Sequence, residues 1–169
     1  LPSKPIDIIP LSSSQKHIWL AEKIVANTNL YNVYDVFKIE GPLEAKNLEL
    51  AINKVIDRHE ILRTVFIEQD NAIYQKVITN LTLKLNIEII LDSSCSLIDK
   101  KLYEEISKPF DLSKGPLIRV KLFNISFKKY LLSITLHHII FDPWSMNILL
   151  KEISQYYNQV DCDLEKLAI

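Results

Sequence analysis

Tyr130-Leu131-Leu132-Ser133-Ile134-Thr135-Leu136-His137-His138, followed by Ile139-Ile140-Phe141-Asp142 and then Pro143, is the most informative stretch of this 169-residue chain. Its aliphatic and β-branched residues, uninterrupted by Gly or Pro, predict a strand over 130–138. Proline suits a first helical position, where its missing N–H would have no intrahelical partner. A helix is therefore predicted from about Pro143 to about Asn158. His138 and Asp142 then sit at a strand-to-helix junction, where a rigid scaffold aims side chains. Neighbouring strand residues point to opposite faces, so one of His137 and His138 should pack inside while the other faces a cleft.

Upstream, Leu117 to Asn124 predicts a second clear strand, joined to the first by a polar turn near Ser126 to Lys129. Thr64 to Gln69 and Ala72 to Ile78 predict a hairpin around Asp70-Asn71, since both turn residues tolerate positive φ. Val33 to Glu40 and Leu83 to Leu91 are further strand candidates. Ser12 can cap a helix running to about Ala26, with Ile18, Leu20, Ile24 and Val25 expected on its buried face. Leu48, Ala51, Ile52, Val55 and Ile56 fall at helical spacing and predict a core-facing helix over 43–59. A third helix is predicted from Ser96 to Ser107, ending before Pro109. Leu1 to Pro10 reads as an extended lead-in. Helices interleave with strands, yet several strand pairs are joined by short turns. That pattern predicts an α/β sandwich, helices packed on a mixed sheet, rather than a doubly wound parallel sheet.

Composition narrows the function. Hydrophobic residues make up 48% and charged residues 24%, as in an ordinary globular domain. The length suits one domain, residues 1–169. Net charge is −1 and basic residues are scattered, with no run longer than a pair such as Lys128-Lys129, which argues against nucleic-acid partners. With only Gly41 and Gly115, no glycine-rich phosphate loop is present. Cys95 and Cys162 lack metal spacing and read as free thiols of a reducing compartment. No secretory signal opens the chain, and no apolar run approaches the roughly 20 residues that span a bilayer. The expectation is a cytoplasmic protein without a membrane role.

Histidine titrates near neutrality and can take a proton from an attacking amine or hydroxyl. By composition alone, two adjacent histidines more often serve structure than catalysis. Metal binding is disfavoured, because adjacent strand residues diverge and no third ligand is near. Arg58 and Arg63, by themselves, read as a solvated helix end. Trp19 and Trp144 read first as core packing. Gln15 and Ser12 are explained by a helix start.

Four segments, in order, resemble the condensation domains of nonribosomal peptide synthetases. Leu11-Ser12-Ser13-Ser14-Gln15-Lys16-His17-Ile18-Trp19 is similar to LSxAQxRxW, departing at Ser14 and His17. Arg58-His59-Glu60-Ile61-Leu62-Arg63-Thr64 matches RHExLRT. Pro109-Phe110-Asp111-Leu112 with Gly115-Pro116-Leu117-Ile118-Arg119 matches PFDLxxGPLxR. His137-His138-Ile139-Ile140-Phe141-Asp142-Pro143 resembles HHxxxDG except at its last position. The last motif also occurs in chloramphenicol acetyltransferase relatives and other acyltransferases; the four together are specific, and they cover nearly the whole chain.

The resemblance implies a chloramphenicol-acetyltransferase-like fold and a single lobe, the N-terminal one of two that form a V around a tunnel. It implies peptide-bond formation between thioesters carried on phosphopantetheine arms, with upstream and downstream carrier proteins and the C-terminal lobe as partners and no cofactor bound by this lobe. It places the catalytic position at His138, with His137 supporting. Asp142 would be a structural acid paired to an arginine, Arg63 in preference to Arg58. Pro143, Trp144 and Ser145 would border the tunnel.

Two features temper the implied activity. Pro143 replaces a glycine, removing an N–H and the freedom of positive φ. No second lobe follows within the 169 residues, and a lone lobe neither excludes water nor positions two thioesters. The expectation is a lobe inactive alone. The alternative is a degenerate module that binds or gates carrier proteins without chemistry. A stand-alone acyltransferase with a small acceptor is disfavoured by the three accompanying segments.

Overall fold

The computed structural model describes residues 9–25, 28–90 and 94–158. Strands β1 (Ile9–Pro10), β3 (Thr64–Gln69) and β4 (Ala72–Val77) form a small antiparallel sheet in the order β1-β4-β3. Strands β2 (Asn32–Glu40), β5 (Asn86–Ile89), β6 (Ile118–Ser126) and β7 (Lys129–His137) form a larger one, ordered β2-β7-β6-β5. Only β5–β6 is parallel, so the larger sheet is mixed, as expected.

The helices are α1 (Ser13–Ile24), α2 (Ala45–Arg58), α3 (Cys95–Ile106) and α4 (Met146–Asn158). The predicted stripe of α2, Leu48, Ala51, Ile52, Val55 and Ile56, is buried throughout. It meets Ile118, Val120 and Leu122 of β6, Leu132, Ile134 and Leu136 of β7, and Met146, Leu149 and Ile153 of α4 in one core. The intervening residues of β6, Arg119 and Lys121, point to the other face of the sheet. There both pair with Glu105 of α3. The sheet thus lies between an apolar layer of α2 and α4 and a charged contact with α3.

The hairpin turns where predicted: Asp70 and Asn71 adopt φ of 51° and 59°, the pair of positive values a two-residue type I′ turn needs. Three expectations fail. The strand expected over Leu83 to Leu91 shrinks to β5. The N–H groups of Leu83 and Leu85 are taken instead by Asn53 Oδ1 and Glu49 Oε2 of α2, so that segment binds a helix rather than a ladder. Leu91 lies outside the described residues, as do most of the lead-in, Ala26 and Cys162.

The final helix does not begin at Pro143. Pro143–Ser145 form one 3₁₀ turn before α4 starts at Met146.

The third failure concerns α1. Leu20, Ile24 and Val25 are exposed, and Trp19 is buried instead. The inward face of α1 runs through Gln15, Ile18, Trp19 and Glu22, the spacing of one helical face. Two of those four are polar, which hides the face from an apolar pattern. Both serve the junction after β7.

Candidate functional site

The two histidines diverge as strand geometry requires. His137, the last residue of β7, is 2% exposed, whereas His138 is exposed. The ring of His137 is held on both nitrogens. Nδ1 accepts the N–H of Ile139 at 3.1 Å, so the proton resides on Nε2, which donates to Glu22 Oε1 at 3.2 Å. Tyr31 and Phe110 flank the ring, each with its centroid 6.1 Å away. Burial pushes the His137 pKa down to about 4, with His138 adding a smaller push, so the imidazole stays neutral. Burial pushes the carboxyl of Glu22 up.

His138 is anchored through its backbone and half of its ring. Its N–H donates to Tyr31 O at 2.8 Å. Its Nδ1 lies 2.7 Å from Phe141 O. A carbonyl can only accept, so Nδ1 carries the proton and Nε2 presents a lone pair. An exposed, tautomer-locked Nε2 can accept a proton from, or orient, an incoming nucleophile.

The backbone after His138 doubles back tightly: Ile140 N–H donates to His137 O and Phe141 N–H to His138 O. Gln15 braces this turn from outside, its amide donating to Ile139 O at 3.3 Å. Ser12 and Gln15 do form the expected helix start, a reciprocal capping box. Gln15 therefore serves both the helix end and the turn. Neither Gln15 nor Glu22 was expected at the site; only their spacing with Trp19 on one helical face could have signalled them.

Asp142 caps the turn that follows. Its Oδ1 accepts from Ser145 N at 2.9 Å and from Ser145 Oγ at 3.0 Å. These bonds hold its carboxyl below the usual range, the backbone bond from Ser145 first. The expected Asp142–Arg63 pair does not form. Arg63 turns toward its own neighbourhood, donating to Ile78 O, Asp57 O and Glu60 Oε1. Arg58 pairs with Glu152 of α4 at 3.3 Å, beside a His59–Glu152 contact of 2.6 Å. The two arginines thus fasten the end of α2 to Ile78, just past β4, and to α4.

Pro143 and Trp144 are exposed and Ser145 is half-buried. At 87% exposure Trp144 is not a core residue, unlike Trp19. It stands one helical turn from Ile148, also exposed. A cavity of about 200 Å³ opens beside the same turn, walled by Ile140, Phe141, Ser145 and Ile148 and closed by His59 and Leu62. Among the described residues no cluster of His, Cys, Asp or Glu is arranged to hold a metal ion, and no helix is long and apolar enough to cross a membrane.

A family model described as "Condensation domain" matches residues 6–166. Surfactin synthase subunit 2 of Bacillus subtilis (strain 168) is 36% identical over 156 residues, which is 92% of this chain and 4% of that protein. Bacitracin synthase 1 of Bacillus licheniformis is 36% identical over 157 residues, 89% of this chain and 3% of that protein. In three dimensions the chain resembles the starter condensation domain of rhizomide synthetase, with a TM-score of 0.85 and 23% identity, covering 94% of this chain and 41% of that one. The chain therefore spans a small fraction of the synthetases it matches and less than half of the folded neighbour.

Proposed function

The chain belongs to the condensation-domain family, and from that premise we propose that it is the histidine-bearing N-terminal lobe of a peptide synthetase condensation domain. Its role is to present His138 to the amine of a carrier-bound aminoacyl thioester as that amine attacks a second, upstream thioester. The observation that carries this reading is the locked tautomer of His138: Nδ1–H is committed to Phe141 O, leaving an exposed Nε2 free to accept or orient a proton. Burial keeps His137 neutral and structural, so the two histidines do not compete for one role.

The remaining parts follow from the family. A second lobe closes the tunnel and excludes water, and two carrier proteins deliver substrates on phosphopantetheine arms, in the cytoplasm. This lobe contributes no cofactor of its own, and alone it is inactive. Pro143, Trp144 and Ser145 border the channel beside His138. The decisive experiment measures amide formation between two carrier-loaded thioesters by the intact parent domain and its His138→Ala variant. Loss of turnover with both carriers still bound supports the proposal. Undiminished turnover in the variant overturns it.

Pro143 favours a second reading, a module that binds carriers without chemistry. Its physical basis is the lost N–H next to the reactive turn. Yet the ring is accommodated: Asp142 is extended at φ −110° and ψ 155°, as a residue before proline prefers, and still accepts both Ser145 bonds. If proline limits catalysis, Pro143→Gly in the parent raises turnover. A parent that binds carriers but forms no amide, with or without that glycine, belongs to the second reading.

A further inference from the structure

A cavity of about 470 Å³ lies between α1, β3 and the segment after α3, walled by Trp19, Phe66, Phe110 and Leu112, with Glu22 among its lining. Glu22 is nine-tenths buried, its side chain 10% exposed. One carboxylate oxygen receives the Nε2–H of His137; among the described residues no donor reaches the other. His137 cannot supply a countercharge, because both of its nitrogens are committed and its burial keeps it neutral. The other charged groups of the wall are already engaged. Lys23 reaches Glu68 at 3.1 Å and lies over the Trp19 ring, and Asp111 holds Lys114 at 2.9 Å. Glu22 is thus a largely buried carboxylate on a cavity of mixed apolar and charged lining, and among the described residues no cation pairs with it. A buried charge in that condition is costly, and an incoming cation relieves the cost.

The geometry points to a binding site for a primary ammonium on a short aliphatic or aromatic stem, with Glu22 as its counter-ion and Trp19, Phe66 and Leu112 around the stem. The site is separate from the reactive one. His137 reaches Glu22 from the opposite side of β7 to that taken by His138. Its Nδ1 also holds Ile139, so the reactive turn and the cavity share one imidazole. The ammonium has two natural sources, the side chain of a basic amino acid or the α-amine of an aminoacyl group.

The test titrates the full-length protein near neutral pH with n-butylammonium, with leucinamide and with 1-butanol. Binding is followed through the Trp19 indole and His137 ring resonances by NMR. Both ammonium probes are expected to saturate with dissociation constants on the order of millimolar. 1-Butanol is expected to leave the resonances in place. The tighter of the two ammonium probes identifies the source. Glu22→Gln retains an acceptor for His137 and should weaken the ammonium probes on the order of tenfold. Equal affinity for butanol and butylammonium, equal affinity in Glu22→Gln, or no saturation by either ammonium overturns the site. If Glu22→Gln fails to fold, the butanol comparison on the unaltered protein decides. None of these outcomes depends on whether His138 forms amides.

Discussion

The side-chain amide of Gln15 donates to the carbonyl of Ile139, 124 residues away in sequence, and so ties the first turn of α1 to the turn behind His138. The same amide reaches Gln75 Oε1 at 3.1 Å, and Gln75 in turn donates to Pro10 O. Gln15 Oε1 accepts from Ser12 N. Helix cap, small sheet and the turn after His138 therefore share one side chain. Replacing it by alanine removes a capping partner and a part-buried tether. The expected loss is about 1–2 kcal/mol. Thermal denaturation should register it, and the amides of residues 139–141 should exchange faster. Unchanged protection of those amides would show that Gln15 is only a cap.

Acid should destabilise the fold through His137. Its folded pKa, about 4, lies below the ordinary 6.5, so between those values the unfolded chain binds a proton that the folded one does not. Stability is complete above the upper value and falls as pH drops through the window. At about 1.4 kcal/mol per unit, the loss has an upper bound of about 3 kcal/mol. Glu22 acts in the opposite sense, because its raised folded pKa favours the folded state on acidification below that pKa. Denaturant midpoints for wild type and His137→Gln, taken at neutral pH and near pH 5, provide the check. The variant should lose most of the difference between them; equal slopes would remove His137 from the account.

Arg63 should matter for stability without reference to Asp142. Its side chain is 14% exposed, and its guanidinium bonds carbonyls of Asp57 and Ile78 besides Glu60. Arg63→Ala is expected to cost about 1–3 kcal/mol, as for hydrogen bonds from a charged group. The double variant with Asp142→Ala should be additive within about 0.5 kcal/mol, since independent sites add. A larger coupling would restore the pairing that the family resemblance implies.

Gly115 should resist substitution on two separate grounds. Its φ is +58°, and a Cβ built there meets Val65 Cγ1 at 2.7 Å. Gly115→Ala is expected to cost about 1–3 kcal/mol from backbone conformation and overpacking together. Adding Val65→Ala should relieve the steric share only, which urea denaturation of the single and double variants can separate. No relief in the double variant would assign the whole cost to the backbone.

Much of the architecture was legible because it is decided within a few residues. Asp70 and Asn71 accept positive φ themselves, and the apolar stripe of α2 repeats on its own period. The strand pair β6–β7 announces itself by aliphatic and β-branched residues uninterrupted by Gly or Pro. The divergence of His137 and His138 follows from the pleat, although the pleat does not say which of them is buried. Segment 83–85 was misread because its N–H groups bind side chains of α2, a choice no local propensity encodes.

The site was legible only in part, for the same reason at longer range. The motifs identified the family and pointed to His138 and Asp142, but the contact expected between Asp142 and Arg63 is not made. Hydrogen-bond competition settled that: Ser145 is three residues from Asp142, while Arg63 finds carbonyls nearer to hand. Sequence alone determined strands β2, β3, β4, β6 and β7, the hairpin, the α2 core face and the kinship carried by four motifs, since these rest on local backbone preference and residue identity. The polar inward face of α1, the neutrality of His137 and the cavity at Glu22 were decided by tertiary structure. Each depends on a partner such as the Glu22–His137 pair, 115 residues apart, and on the water excluded between them.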